Sequence, residues 1–205
     1  RILVVCQHFW PESFRINDLC DGFIENGFEV DVLCGQPNYP KGEWYDGYGP
    51  FSNRRQTHRD VNIYRTFEIR RGNNSKLRIC LNYLSFILSS LLRVPGLLKN
   101  QYDKVFIYEL SPAYMAWAGL LIGHLKKIEV VTCVMDLWPE NLYSVIPFKN
   151  KLIRNLLMRS STWIYRKSDK LVCLTESEVE LLRKRTGKPK QAFCVVPQSC
   201  EKIYE

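Results

Sequence analysis

The sequence predicts an α/β fold: a Rossmann-like, doubly wound, mainly parallel sheet of about seven strands with helices on both faces. Two observations carry this. Apolar, β-branched runs recur along the chain as RILVVC, FEVDVLC, VNIYRTF, KVFIYEL, IEVVTCVM, KLVCLT and AFCVVP, the pattern of strands buried on both faces of a parallel sheet. Longer stretches with helical spacing separate them, so the order is β-α-β throughout.

Each element follows from its residues. After the first run, Ile16, Leu19, Cys20, Phe23 and Ile24 fall on one helix face, and Gly27 ends that helix. The stretch KLRICLNYLSFILSSLLRVPGLLKN is apolar around most of its circumference between Leu81 and Leu92. That run falls short of the roughly 20 residues that span a bilayer, so a helix that does not cross a membrane is expected. Ser111 before Pro112 reads as the start of a helix over PAYMAWAGLLIGHLKK, with lysines in its last turn where the helix dipole favours them. Thr175 with Glu178, or Ser177 with Glu180, offers a capping box for EVELLRKRTG.

Composition narrows the partners. The 205 residues, 24.1 kDa, are enough for a real core in one large α/β unit or a small pair. With 29 Lys and Arg against 21 Asp and Glu the net charge is +8, which favours an acidic partner such as a phosphate, a nucleic acid or an anionic lipid surface. Nucleic acid is the poorest fit, because apolar positions interrupt the basic residues and no recognition module appears. Cys6, Cys34, Cys133 and Cys173 lie inside apolar runs and no C-x-x-C pair occurs, so core thiols are expected and neither zinc nor disulfides. Residues 1–7 are too short for a signal peptide. A cytoplasmic setting is the expectation.

Open parallel sheets bind ligands in the crevice at the carboxyl ends of their strands. The loops leaving those ends are QHFWPESFR, GQPNYPKGEWYDGYG, ELSP and DLWPEN. The first has no glycine between His8 and Glu12. It therefore cannot be the G-x-G-x-x-G turn of a dinucleotide site, and NAD, FAD and P-loop readings are poor. The second is long and aromatic; it either offers ring faces to a sugar or packs on itself as an Ω-loop. Before the apolar helix lie Arg54, Arg55, Arg59, Arg65, Arg70, Arg71, Lys76 and Arg78, opposed only by Asp60 and Glu68. A second basic region holds Lys149, Lys151, Arg154, Arg159, Arg166, Lys167 and Lys170. Beside an apolar helix, such regions suit an anionic membrane surface; the alternative is a core helix next to a solvated charge run.

As a set, HFWPESFRINDLCDGFIENGFEVDVLCGQPNYPKG, RTF, LNYLSF, YELSP and DLWPEN resemble the N-terminal half of glycosyltransferase family 4 enzymes of GT-B architecture. The bacterial subgroup that builds capsule, O-antigen and exopolysaccharide units is the most similar. Two departures are small: Phe28 stands where a histidine is usual, and Asn141 where a serine is usual. The resemblance implies an acceptor-side domain over residues 1–190 and a crossover over residues 191–205 toward a C-terminal donor-binding domain outside this sequence. It also implies transfer from a nucleotide-sugar, UDP-linked, to a saccharide or lipid-linked saccharide acceptor with retention, at the inner face of the cell membrane, with no metal and no tightly bound cofactor.

On that resemblance Asp136, Glu12 and His8 are the catalytic candidates, and Arg15, Asn38, Tyr39, Ser111, Trp138 and Glu140 the acceptor-binding ones. Each has a plainer alternative. Asp136 can cap the next turn, Glu12 can pair with Arg15, and Trp10 and Trp138 can pack the loops that Pro11 and Pro139 stiffen. Two other classes compete: a non-catalytic membrane-docking subunit of a split transferase, and an epimerase-like module that binds nucleotide-sugars.

Overall fold

A computed structural model describes residues 1–145 and 150–197. The strands are β1 (Ile2–Val5), β2 (Val30–Cys34), β3 (Arg55–His58), β4 (Val61–Arg65), β5 (Lys104–Glu109), β6 (Glu129–Val134), β7 (Lys170–Cys173) and β8 (Phe193–Val195). They form one eight-stranded sheet in the order β3-β4-β2-β1-β5-β6-β7-β8. Every pairing is parallel except the β3–β4 hairpin.

That hairpin supplies the strand the sequence did not predict. Its RQTH segment is polar and half exposed, as an edge strand requires, so no apolar run announces it. Its turn, Arg59-Asp60, has both residues at positive φ (46° and 63°), the geometry of a two-residue type I′ turn but without the usual glycine.

The helices are α1 (Ile16–Glu25), α2 (Lys76–Leu97), α3 (Trp117–Lys126), α4 (Glu140–Val145), α5 (Lys151–Lys167) and α6 (Glu176–Thr186). Successive residues of β1 face opposite layers. Ile2, Val4 and Cys6 pack with Ile16 and Cys20 of α1. Leu3 and Val5 pack with Val94 of α2, Ile122 of α3, Ile164 of α5 and Leu182 of α6. The right-handed crossovers expected of parallel strands account for this split, since the chain moves one way from β1 to β2 and the other way from β5 onward. Cys6, Cys20, Cys34, Cys133 and Cys173 are all buried, unbridged thiols.

Two helix starts turned out differently. The capping box at Thr175 and Glu178 is present. Ser111, expected to start a helix, does not: Pro112 leads into a 3-10 turn over Ala113–Ala116, and the α-helix begins only at Trp117. The Ser111 hydroxyl donates instead to Asp136.

The apolar run of 81–92 sits in a helix of 22 residues, long and apolar enough to cross a membrane by length and composition. One face of it is tied to the domain. Asn82 donates to the Ile69 carbonyl at 2.7 Å, Ser85 accepts from the Ile69 amide at 2.9 Å, and Ser89 donates to the Phe67 carbonyl at 2.5 Å. These bonds fix α2 along the loop after β4.

Candidate functional site

β1 lies between β2 and β5, so the order of strands reverses beside it, and the carboxyl ends of β1, β2 and β5 are where open sheets of this kind form their ligand crevice. Three loops line its first half. Glu12, in the loop after β1, is buried at 1% exposure. Its Oε1 accepts from the Asn38 and Tyr39 amides at 2.8 and 2.6 Å, and its Oε2 is 3.0 Å from His8 Nδ1. A carboxylate with these donors anchors the turn of the second loop, each bond to the charge being worth about 1.5–3 kcal/mol. The pairing of Glu12 with Arg15 is not found; Arg15 makes no side-chain hydrogen bond among the described residues.

His8 is held on every side. Phe14 stacks on it at 4.8 Å and Tyr39 tilts against it at 5.4 Å. Arg71 Nη2, 3.4 Å from His8 Nε2, can only donate, so Nε2 is the acceptor and Nδ1 carries the proton toward Glu12. Asn38, fully buried, joins the loops: its side-chain oxygen accepts from the Arg71 amide at 3.1 Å and its nitrogen donates to the Gln36 carbonyl at 2.8 Å. Tyr39 keeps 38% of its surface exposed, so its ring forms part of the crevice wall.

Behind this layer is a carboxyl the sequence counted only as a countercharge. Glu68 is fully buried; its Oε1 accepts from Gln7 Nε2 at 2.7 Å and Asn82 Nδ2 at 2.6 Å, while Oε2 has no partner. Burial pushes it up to about 8, with hydrogen bonds from Gln7 and Asn82 working against the shift and the Glu12 charge adding to it. Arg65, read as part of a surface charge run, is also fully buried and donates to the Gly35 carbonyl at 3.0 Å and to the Trp10 carbonyl. The second loop packs on itself, with the Tyr45 hydroxyl on the Tyr39 carbonyl at 2.9 Å and Gln36 on the Ser52 carbonyl at 2.8 Å.

The second half of the crevice is built around Asp136, just past β6. Its Oδ2 accepts from the Ser111 amide and hydroxyl at 3.2 and 3.0 Å, and its Oδ1 from Asn141 Nδ2 at 3.0 Å. Asp136 therefore ties the loop after β5 to the start of α4. Beneath it lies Glu109, fully buried at the end of β5, with Oε1 unpartnered and Oε2 3.4 Å from the Tyr165 hydroxyl. Burial and then the Asp136 charge raise its carboxyl well above the usual range. Trp138, 6% exposed, is a core residue whose ring meets Tyr114 edge-on at 5.1 Å, so its ring is not available to an acceptor. Glu140 is engaged by Arg185 Nη1 at 3.0 and 2.9 Å, and Arg185 also holds the Trp138 carbonyl.

Gln7, Glu68, Asn82, Arg71, Glu109 and Arg185 were missed in the sequence. Asn82, Glu109 and Arg185 lie inside regular elements, Arg71 and Glu68 within a basic run, and Gln7 at the start of the first strand-end loop. Only Glu109, an acid at the end of an apolar strand, carried a local hint. Among the described residues no group of His, Cys, Asp and Glu could hold a metal ion.

Fold and site together define a Rossmann-like α/β domain with these polar residues gathered at the switch point of the sheet. Residues 14–199 match the model for Glycosyltransferase Family 4, and the chain belongs to that family. No curated protein matches it. Among solved structures it is similar to an alpha,alpha-trehalose-phosphate synthase (UDP-forming) from Burkholderia vietnamiensis, with 11% identity, TM-score 0.50, and coverage of 91% of this chain and 43% of that one. The trehalose-6-phosphate protein of E. coli, solved with UDP-2-fluoro glucose, aligns with 14% identity and TM-score 0.49 over 90% of this chain and 42% of its own. A Burkholderia multivorans alpha,alpha-trehalose 6-phosphate synthase gives 12% and 0.48 over 91% and 42%. The chain thus spans about two fifths of these proteins, and its fold is similar to that of one domain of a GT-B glycosyltransferase.

Proposed function

We propose that this chain is the acceptor-side half of a transferase that moves a sugar, with retention, from a UDP-linked donor to a hydroxyl of a lipid-linked acceptor at the inner face of a membrane, in surface-polysaccharide synthesis. The observation that carries the reading is the pair of carboxylates, Glu12 and Asp136, each holding strand-end loops in place on the two sides of the switch point, in a chain of glycosyltransferase family 4. The UDP-forming reaction of the B. vietnamiensis structure supports a UDP-linked donor.

In this reading the loops fix the acceptor hydroxyl near the anomeric carbon, and positioning of this kind lowers a large entropic barrier. His8 Nε2 takes that hydroxyl's proton once Arg71 turns to substrate. Asp136 steadies positive charge as the bond to the departing diphosphate breaks. The test is Asp136→Asn in the complete enzyme, which removes the charge and keeps an oxygen for the Ser111 amide and hydroxyl: turnover should fall by about a hundredfold or more with the melting temperature nearly kept. Turnover equal to wild type would remove Asp136 from the reaction.

Membrane association rests on a separate observation. α2 exposes Leu77, Leu84, Leu88 and Leu92, and α5 exposes Leu152, Ile153, Leu156 and Trp163 beside Arg154, Arg159 and Lys167. Lys149 of the second basic region lies outside the described residues. Each cation near an anionic surface is worth about 1 kcal/mol. Leu88→Glu with Leu92→Glu should therefore abolish co-sedimentation with vesicles containing phosphatidylglycerol, and binding that survives both changes would count against this docking face.

A further inference from the structure

Some arginines of the domain meet acids, Arg70 with Glu43, Arg59 with Asp21 and Arg185 with Glu140, and buried Arg65 is satisfied by backbone carbonyls. Arg71 differs. It is half-buried, and among the described residues no carboxylate lies within ion-pair distance of it. Its guanidinium sits between two rings, 5.0 Å from the centroid of Tyr39 and 5.3 Å from that of Tyr83. It donates only to neutral groups: Asn82 Oδ1 at 3.3 Å, the Tyr83 hydroxyl at 3.3 Å and His8 Nε2 at 3.4 Å. Because Tyr83 accepts from Arg71, its own O–H is left to donate elsewhere.

The surroundings add positive potential. Gly72 donates to the Gly42 carbonyl at 2.8 Å, which brings the Lys41 segment alongside Arg71. The next element, α2, begins with no acid in its first turn and with Lys76 and Arg78 there instead, so side-chain charge and helix dipole share one sign. Cations placed against the dipole at a helix start cost stability unless an anion meets them.

We propose that Arg71, with Tyr39 and Tyr83, binds a phosphate or diphosphate group carried by the acceptor. A planar guanidinium fixed over aromatic rings suits the paired oxygens of a phosphate, and the contact with His8 places that group at the crevice. The proposal rests on the reading of this crevice as the acceptor side of a transferase.

The experiment uses the complete protein and three probes: inorganic pyrophosphate, UDP, and a pair of acceptors that differ only in carrying a phosphate. Pyrophosphate should bind saturably, more weakly as salt rises, and at least tenfold more weakly to Arg71→Gln, with Arg71→Lys in between and all variants melting as wild type. In transfer assays Arg71→Gln should raise KM for the phosphate-bearing acceptor at least tenfold more than for the neutral one. Equal pyrophosphate affinity in wild type and Arg71→Gln overturns the proposal. So does competition by UDP that depends on Arg71, since the site would then hold the donor's diphosphate. Absence of transfer to any acceptor, with Arg71-dependent pyrophosphate binding retained, would sink the transferase reading and leave the anion site standing. Transfer to both acceptors with no effect of Arg71→Gln would do the reverse.

Discussion

The two halves of the crevice are built alike and differ in one respect. Each pairs a hydrogen-bonded carboxylate with a buried carboxyl that keeps one oxygen unpartnered: Glu12 with Glu68 in the first, Asp136 with Glu109 in the second. In each, burial and the neighbouring charge favour the neutral form of the buried member. The cations differ. Arg185 in the second half is spent on Glu140 and the Trp138 carbonyl, whereas Arg71 in the first meets only neutral partners. A shared plan for holding loops thus serves two surfaces, one closed by its own charges and one left open to an anion.

The largest expected effect breaks the first half. A Cβ on Gly35 would lie 1.8 Å from Glu68 Oε2 and 3.0 Å from the Gln7 carbonyl. Glu68 cannot swing away, because Gln7 and Asn82 both hold its other oxygen. Gly35→Ala should cost about 3 kcal/mol or more, lowering the melting temperature by roughly 6–12 °C for a chain of this size. Shortening the obstacle, as Gly35→Ala with Glu68→Ala, should recover part of that loss. A single variant that melts as wild type would mean that Glu68 is not wedged against β2.

The next effect concerns the buried carboxyls. A group raised in the folded state binds more protons there than in the unfolded chain, so stability is present at low pH and is lost as pH rises. For Glu68 the window runs from its ordinary value of 4.5 to about 8; the loss there is at most about 1.4 kcal/mol per pH unit. Glu109, raised well above 4.5, extends the same trend. Denaturant midpoints of wild type should therefore fall between pH 5 and pH 8, and Glu68→Gln should flatten that fall. An identical pH slope in the variant would show that Glu68 ionises normally in the fold.

These buried acids also mark where sequence reading runs out. The parallel sheet was legible because Ile2–Val5 is a continuous apolar run and Val30–Cys34 and Val130–Val134 are broken only by Asp31 and Thr132, and burial on both faces demands such runs. The strand-end loops were legible by the same rule, and it singled out Asp136, just past β6, and Glu12, in the loop after β1, as candidates. Glu68 and Arg65 were not, since a buried acid and a buried arginine look like ordinary surface charges until distant Gln7, Asn82 and Gly35 close around them. Arg71 was counted in a basic run of which some members turned out paired and one fully buried. Only the tertiary partners distinguish an arginine that is occupied from one that is not. Ser111 misled for a local reason: its hydroxyl satisfies Asp136 across the sheet and not the amides of the following helix.

The smallest effect sharpens the claim that the second half is closed. Glu140 and Arg185 keep 31% and 11% of their side-chain surface, so the pair is neither a weak surface contact nor a fully desolvated one. A double-mutant cycle with Glu140→Gln and Arg185→Gln should give a coupling of about 1 kcal/mol. Arg185→Gln alone should cost somewhat more, because the Trp138 carbonyl and the Ser161 hydroxyl lose their donor as well. Pyrophosphate affinity should not change in either variant, since Arg185 has no donor to spare for an anion. A drop in that affinity comparable to the Arg71→Gln effect would mean that both halves of the crevice hold the anion, and the contrast between them would fail.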